Sequence, residues 1–199
     1  YTTTETQPNR DKHINRIRDS VKHLNDLLED FLSLGKLDEG KVGAQPVEFN
    51  LKETVTDTLD DVRGLVRPGQ EIHFAHEGRE ELFNDKKLLR NVLINLVSNA
   101  LKFSEENGNV WIRSRVEGEE AVIAVEDKGI GISDEDQQHL FSSFFRGKNA
   151  INIQGTGLGL HIVKRYADLM GGDISLQSRL GEGTTITLRI PVTLNAEGS

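Results

Sequence analysis

Residues 121–131 read Ala-Val-Ile-Ala-Val-Glu-Asp-Lys-Gly-Ile-Gly, and the interpretation of the whole chain starts from this run. The apolar residues 121–125 predict a buried β-strand, and Asp127 follows it directly, with Gly129 and Gly131 in the turn beyond. A carboxylate at the end of a buried strand can accept a hydrogen bond from the exocyclic amine of adenine, whereas guanine presents an acceptor there. Taken alone, Asp-x-Gly is more often a solvated aspartate in a glycine turn, so the neighbouring segments must decide between the two.

The elements on either side of this strand predict an α+β sandwich, in which a mixed sheet packs on helices. Residues 110–116 form a predicted hairpin with the strand, through a turn at Gly118, and residues 173–178 and 184–191 form a last strand pair. The other predicted strands cover residues 46–49, 71–75 and 81–84. Predicted helices start after Asn50, at Asp85 and at Gly159, with a short one at 135–141.

A long coiled-coil-like helix is predicted before this sandwich, over residues 9–37. Its apolar positions are spaced 3, 4, 3, 4, 3 and are Ile14, Ile17, Val21, Leu24, Leu28 and Phe31. One such helix cannot bury its stripe alone, so we expect it to pair with another helix. The predicted domains are 1–46 (helix and linker), 47–192 (sandwich) and 193–199 (tail).

Composition excludes several classes of protein. The 199 residues carry a net charge of −8, which argues against a nucleic-acid partner. The chain has no Cys, which removes disulfides, thiolate zinc sites and cysteine nucleophiles and fits a reducing compartment, so we expect a cytoplasmic location. We expect no membrane segment in this chain, because no apolar run reaches the roughly 18 residues that a span needs, and membrane anchoring of a larger parent stays open.

The predicted helix 85–103 carries polar side chains beside its apolar face. Asn95 and Asn99 lie four residues apart and therefore share one side of the helix. An asparagine carbonyl is a suitable oxygen ligand for Mg²⁺, which keeps waters and substrate phosphates as its other ligands. Lys102 can reach a phosphate, or it can simply offset the helix dipole in the last turn.

Two further segments have both a functional and a structural interpretation. Residues 155–160, Gly-Thr-Gly-Leu-Gly-Leu, come just before a predicted helix and form either a phosphate cradle or an ordinary glycine turn. Residues 140–147, Leu-Phe-Ser-Ser-Phe-Phe-Arg-Gly, either pin a loop to the core or hinge a lid that holds Arg146 or Lys148 over phosphates. The turn at 181–185, Gly-Glu-Gly-Thr-Thr, carries no information by itself.

These segments, in this order, resemble the catalytic ATP-binding domain of sensor histidine kinases, within the Bergerat-fold ATPase superfamily. Residues 95–103 match the N box of that family, 127–131 the G1 box and 140–147 the F box. Residues 155–160 match the G2 box and 181–185 a further Gly-Thr element. The resemblance spans roughly residues 47–191, and five matches in order are a far more specific signal than any one of them.

The resemblance implies a role for each matching residue in binding ATP and Mg²⁺. Asp127 would bind adenine N6, Asn99 would coordinate Mg²⁺ beside Asn95, and Lys102 and Arg146 would contact phosphates. A mobile lid would cover about residues 133–154. The remaining implied nucleotide-binding positions are Gly129, Gly131, Phe145, Gly155, Thr156, Gly157, Leu158, Gly159, Leu160 and Thr185.

Asn95 distinguishes a kinase from the hydrolytic members of the same superfamily, which place a water-activating Glu at this position. An asparagine amide does not take up a proton near neutral pH and is a poor general base. The resemblance therefore implies slow hydrolysis, with the γ-phosphoryl group held for transfer to a histidine. A nucleotide-independent scaffold and a true ATPase stay open as alternatives.

The helix 9–37 resembles the second helix of the dimerisation and phosphotransfer hairpin of these kinases. None of the six His residues has the surroundings of the phosphoacceptor, so we expect that the sequence begins after the acceptor helix. The resemblance further implies a homodimer of the parent through residues 9–37. It also implies two partners for the parent: the acceptor-bearing helix, and the receiver domain of a response regulator.

Overall fold

The computed structural model of the chain describes residues 7–147 and 155–194. The helices are α1 (Gln7–Asp38), α2 (Leu51–Val62), α3 (Lys86–Phe103), α4 (Asp134–Gln137) and α5 (Gly159–Leu169), with a 3₁₀ turn at Arg63–Leu65. The strands are β1 (Val47–Asn50), β2 (Glu71–Gly78), β3 (Glu81–Asn84), β4 (Asn109–Glu117), β5 (Glu120–Asp127), β6 (Asp173–Arg179) and β7 (Gly183–Pro191).

Five strands form one mixed sheet in the order β2-β4-β5-β7-β6. β2 runs parallel to β4, and the other neighbours are antiparallel, including the predicted hairpin of β4 with β5 and the last pair of β6 with β7. β1 and β3 form a separate two-stranded antiparallel pair. The predicted α+β sandwich with a mixed sheet is confirmed, and the strand that carries Asp127 is the central one.

The core lies between one face of this sheet and the helices. Along β5, Ala121, Ile123 and Val125 are buried and the residues between them are less so, which is the period-two pattern of a strand with one covered face. α3 lies over the sheet with its apolar face inward, and α2 and α5 pack against α3. The sheet therefore holds α3 in a fixed position next to the end of β5.

Both ends of α3 are closed by side chains. Asp85 accepts hydrogen bonds from the backbone N–H groups of Lys87 and Leu88, as its predicted role at the helix start requires. At the other end, the guanidinium of Arg67 and the amide of the buried Gln70 donate to the Leu101 carbonyl, at 2.7 and 2.9 Å. A cation here also complements the negative end of the helix dipole.

The short helix predicted over residues 135–141 is wrong at its carboxyl end. α4 starts with a Ser133 cap and stops at Gln137, after which single turns follow. In these turns the N–H of residue i+3 donates to the backbone carbonyl of residue i: His139 N–H donates to the Asp136 carbonyl, and Ser142 N–H donates to the His139 carbonyl. Single turns thus replace regular α-helical hydrogen bonding beyond Gln137.

The long helix predicted at the start is confirmed as α1, and its two ends differ in environment. Its apolar stripe is exposed through most of its length, with Ile17 63% and Leu24 64% accessible. Leu37, near its end, is only 5% accessible and belongs to the core, and its carbonyl accepts a hydrogen bond from Arg165 of α5 at 3.4 Å. Within the described residues, no helix combines the length and the apolar character needed to cross a membrane.

Asn84 is expected to be a major determinant of stability. Its side chain is fully buried, accepts from Asp85 N–H, and donates to the carbonyls of Met170 and Pro191, so it ties β3 to α5 and β7. Asn84→Ala leaves these groups without a partner, and we expect the free energy of unfolding to fall by about 1–3 kcal/mol in urea titrations. The matched control is Asn91→Ala on the exposed side of α3, which is expected to change it little. Equal effects of the two substitutions would contradict the prediction.

Candidate functional site

The site is centred on Asp127, the last residue of β5. This side chain is only 9% accessible, and its Oδ1 accepts the Gly129 N–H at 2.8 Å. Burial raises the pKa of Asp127 from 3.8 to about 6, although the N–H groups of Gly129 and Thr184 act in the opposite direction. A buried carboxyl with a raised pKa at the end of a strand is the kind of group that is found at functional sites.

Glycines allow the backbone to close tightly around Asp127. A Cβ atom on Gly129 would stand 2.3 Å from the Phe103 carbonyl oxygen, at the end of α3. A Cβ atom on Gly183 would stand 2.1 Å from the Asp127 carbonyl oxygen, and Gly183 has a φ of +110° that other residues rarely adopt. The same Phe103 carbonyl accepts the Ile130 N–H, so α3 ends directly on the loop that follows Asp127.

The asparagine pair of α3 faces the start of α5. Asn99 Nδ2 donates to Asn95 Oδ1 at 3.0 Å, as the predicted shared face requires. A Cβ atom on Gly159 would stand 2.6 Å from Asn95 Nδ2, so only glycine brings the helix start this close. The paired amides and the first turn of α5 therefore lie side by side.

Lys102 and the aromatic segment lie against the glycine-rich loop 155–159. A Cβ atom on Gly155 would stand 2.9 Å from Lys102 Nζ, which also lies 5.1 Å above the Phe103 ring. Gly157 has a φ of +75°, and a Cβ atom there would stand 2.9 Å from the Phe145 carbonyl oxygen. The predicted loop, lysine and aromatic segment are thus brought together in the structure.

Thr156 and Leu158 shape the beginning of α5. Thr156 Oγ1 accepts the Leu158 N–H at 3.1 Å and donates to Oδ2 of Asp30, in α1, at 2.6 Å. Leu158 is buried, and Leu160 packs partly buried against the core. The N–H groups of the first turn of a helix have no partner within that helix, which makes this end of α5 suited to an anion.

Gly131, Thr185 and Arg146 are the remaining predicted site residues that the structure describes, and Thr185 lines one cleft with Asp127. Gly131, with a φ of +62°, lies against the β6–β7 turn, because a Cβ atom there would stand 2.0 Å from the Arg179 carbonyl oxygen. Thr185 pairs in register with Glu126, so it shares a sheet face with Glu126, and Thr184 is the residue opposite Asp127. Arg146 is exposed. Lys148 and the predicted lid positions 148–154 lie outside the described residues.

Sequence reasoning matched the turn 181–185 but named Thr185 from it instead of Gly183 and Thr184, and it missed Asp30. The two turn residues could have been found by aligning Asp127 with the last strand, but the register of that pairing cannot be read from composition. Asp30 gives no local signal, since it lies on a heptad helix whose charged positions look like solvent-facing ones.

Comparison with known families identifies this arrangement. Residues 84–194 match the model of the family described as histidine kinase-, DNA gyrase B- and HSP90-like ATPase. The chain belongs to this family. The matched region starts just before α3 and ends after β7, so it contains every element that surrounds Asp127.

Two curated relatives are named as histidine kinases. The chain is 39% identical over 186 residues to the circadian input-output histidine kinase CikA of Synechococcus elongatus, covering 90% of this chain and 25% of CikA. It is 35% identical over 190 residues to the histidine protein kinase DivJ of Caulobacter vibrioides, covering 89% of this chain and 30% of DivJ. The chain thus spans only a quarter to a third of the length of these relatives.

Solved structures agree with this assignment. The mycobacterial sensor histidine kinase MprB superposes with a TM-score of 0.66 and 27% identity, over 73% of this chain and 97% of that one. Full-length ShkA in complex with AMPPNP superposes with a TM-score of 0.79 and 25% identity, over 98% of this chain and 41% of ShkA. The second match includes α1 as well as the sandwich.

A pH dependence of stability is expected from Asp127. Because its folded-state pKa is raised from 3.8 to about 6, its contribution to folding is fully present below pH 3.8 and is lost as pH rises through about 6. Asp127→Asn has no carboxyl to ionise, so the variant does not lose this free energy of folding as the pH rises. Between about pH 5 and pH 8, urea titrations should therefore show the variant gaining about 1 kcal/mol of unfolding free energy relative to the wild type. A carboxyl titration of Asp127 with a midpoint near 4 by carbon-13 NMR would contradict the prediction.

Proposed function

We propose that the chain is the ATP-binding catalytic part of a sensor histidine protein kinase. It binds ATP with Mg²⁺ and transfers the γ-phosphoryl group to a histidine on a helix that it does not itself contain. The observation that carries the proposal is the buried Asp127 carboxyl at the end of β5, beside the end of α3, in a chain that belongs to the ATPase family. The kinase names of the relatives support it.

Asp127 and the glycines around it would bind the base of the nucleotide. As a carboxylate, Asp127 accepts a hydrogen bond from the adenine amine, and Gly129 and Gly183 let the backbone pack closely around it. Guanine is disfavoured because its O6 acceptor would meet the carboxylate oxygen. Since the pKa of Asp127 is about 6, this selection operates above that pH.

The residues of α3 fit a bound Mg²⁺. Asn99 donates its Nδ2 to Asn95, which leaves its Oδ1 as the oxygen suited to the cation. Within residues 7–147 and 155–194, no cluster of three or more His, Cys, Asp or Glu residues could hold a metal ion. Mg²⁺ is commonly bound by one or two protein oxygens together with waters and phosphates, which is a ligand set that Asn99 can join. The cation would neutralise charge on the phosphates.

Lys102, Arg146 and the start of α5 would stabilise the group being transferred. An imidazole nitrogen attacks the γ-phosphorus, the bond to the β,γ-bridging oxygen breaks, and ADP leaves with that electron pair. The nitrogen–phosphorus bond forms as the imidazole proton passes to water. Asn95 supplies no base for an attacking water, so hydrolysis competes poorly with transfer.

The proposal extends to partners and location. The histidine kinase ThkA, solved in complex with the response regulator protein TrrA, superposes with a TM-score of 0.73 and 25% identity, over 97% of this chain and 53% of ThkA. A response regulator is accordingly the proposed recipient of the phosphoryl group. Two chains of the parent would pair through residues 9–37, and the site would work in the cytoplasm, where ATP is available.

ATP binding is the direct test of the proposed site. Isothermal titration should show Mg²⁺-dependent binding of ATP by the wild type, and Asp127→Asn should weaken it at least about tenfold, because a neutral amide replaces the charged acceptor of the adenine amine. The control is Asp57→Asn, an exposed position on α2, which should leave binding unchanged. Absence of Mg²⁺-dependent binding, or equal binding by Asp127→Asn, would refute the assignment and favour a scaffold.

Phosphate release separates a kinase from an ATPase. With ATP alone, the wild type should release phosphate slowly, and Asn95→Glu should raise the steady-state rate by at least about tenfold by supplying a general base. Asn91→Glu adds the same charge on the exposed side of α3 and should not raise it. Rapid, sustained release by the wild type would show that the chain is a true ATPase.

A further inference from the structure

The glycine-rich loop is bound to an acidic residue of α1. Thr156 Oγ1 donates to Oδ2 of Asp30 at 2.6 Å, across 126 positions of sequence. The same hydroxyl accepts the Leu158 N–H, so one oxygen atom connects α1 with the backbone at the start of α5. Asp30 is partly buried in this contact.

The contact belongs to a continuous docked segment of α1. Leu37 lies seven residues after Asp30, which is two helical turns, so both residues are on the same side of the helix. Leu37 is buried in the core and its carbonyl is bound by Arg165 of α5. Leu34, between them, also packs against the core. The end of α1 from Asp30 to Leu37 therefore runs along α5.

The charge of Asp30 opposes the use of this loop for phosphates. The beginning of a helix carries a partial positive charge and unpaired N–H groups, which favour an anion. Asp30 already places a carboxylate against the hydroxyl next to these groups. A polyphosphate at the same place adds further negative charge at short range, where repulsion is weakly screened.

We propose that Asp30 is a positioning residue that lowers the affinity of the glycine-rich loop for polyphosphate while α1 is docked. The inference rests on the proposed function of the loop and adds a residue outside the matched region 84–194. Asp30 acts through Thr156, by fixing its hydroxyl and by its own charge. Because linkage is reciprocal, polyphosphate on the loop weakens the docking of residues 30–37 by the same factor.

The test compares two neighbouring acids of α1. Asp30→Asn keeps an oxygen that can accept from Thr156 and removes only the charge. Glu29→Gln removes the same charge one residue earlier, at an exposed position. Affinities for ATP, ADP and adenosine are measured by isothermal titration with Mg²⁺, and folding is checked by urea titration.

The expected result depends on the number of phosphates. Asp30→Asn should bind ATP at least about fivefold more tightly than the wild type, ADP with a smaller gain, and adenosine unchanged. Glu29→Gln should stay close to the wild type for all three. A purely structural role of Asp30 would alter the affinities for the three ligands alike and would overturn the proposal. Equal behaviour of the two variants toward ATP would also overturn it.

A second probe keeps this inference separate from the proposed function. If the wild type binds no ATP, the proposed function fails, whereas inorganic tripolyphosphate still tests the loop. Tighter binding of tripolyphosphate by Asp30→Asn than by Glu29→Gln supports the role of Asp30, and equal binding contradicts it. Hydrogen exchange adds the reciprocal measurement, since tripolyphosphate should speed exchange of the amides of residues 30–37 in the wild type.

Discussion

The burial of one carboxyl group, Asp127, constrains most of the structure around it. A carboxyl at the end of the central strand is stable in the fold only if backbone N–H groups reach it, and Gly129 and Thr184 provide them. Those donors can approach because Gly129 and Gly183 have no side chains. The same close approach brings the last carbonyls of α3 against the loop. The geometry of the site thus follows from satisfying a single buried polar group.

α3 connects this carboxyl to the rest of the site. Its amino end is capped by Asp85, and its carboxyl end is held by Arg67 and Gln70, so the helix cannot shift along its axis without losing hydrogen bonds at both ends. Asn95 and Asn99 lie between these fixed ends, and they meet the start of α5 at Gly159. A helix fixed at both ends keeps a polar pair in register with a glycine loop that is distant in sequence.

Local patterns predicted those features that depend on neighbours in sequence. The heptad of α1, the caps at Asn50 and Asp85, the hairpin of β4 with β5 and the asparagine pair all depend on spacings of two to seven residues. The interleaved helices and hairpin-connected strands predicted the sandwich, and the order of the motifs added the resemblance to a nucleotide-binding family. The features that were missed depend on residues that are distant in sequence. Thr184 lies opposite Asp127 because of the register between β5 and β7. The turns after α4 are joined to α5, where His161 Nδ1 is hydrogen-bonded to the Phe141 carbonyl.

The contact between Asp30 and Thr156 shows how electrostatics can join the two parts of the chain. A net charge of −8 repels ATP at long range, so in the proposed site the affinity comes from local positive charge: Lys102, the N–H groups at the start of α5, and Mg²⁺. Any anion held close to those donors competes directly with the ligand, and Asp30 is carried there by α1, a helix whose own apolar stripe needs a partner. Whatever covers that stripe can also shift the end of α1. The position of a helix that binds no nucleotide therefore enters the energetics of nucleotide binding through one carboxylate.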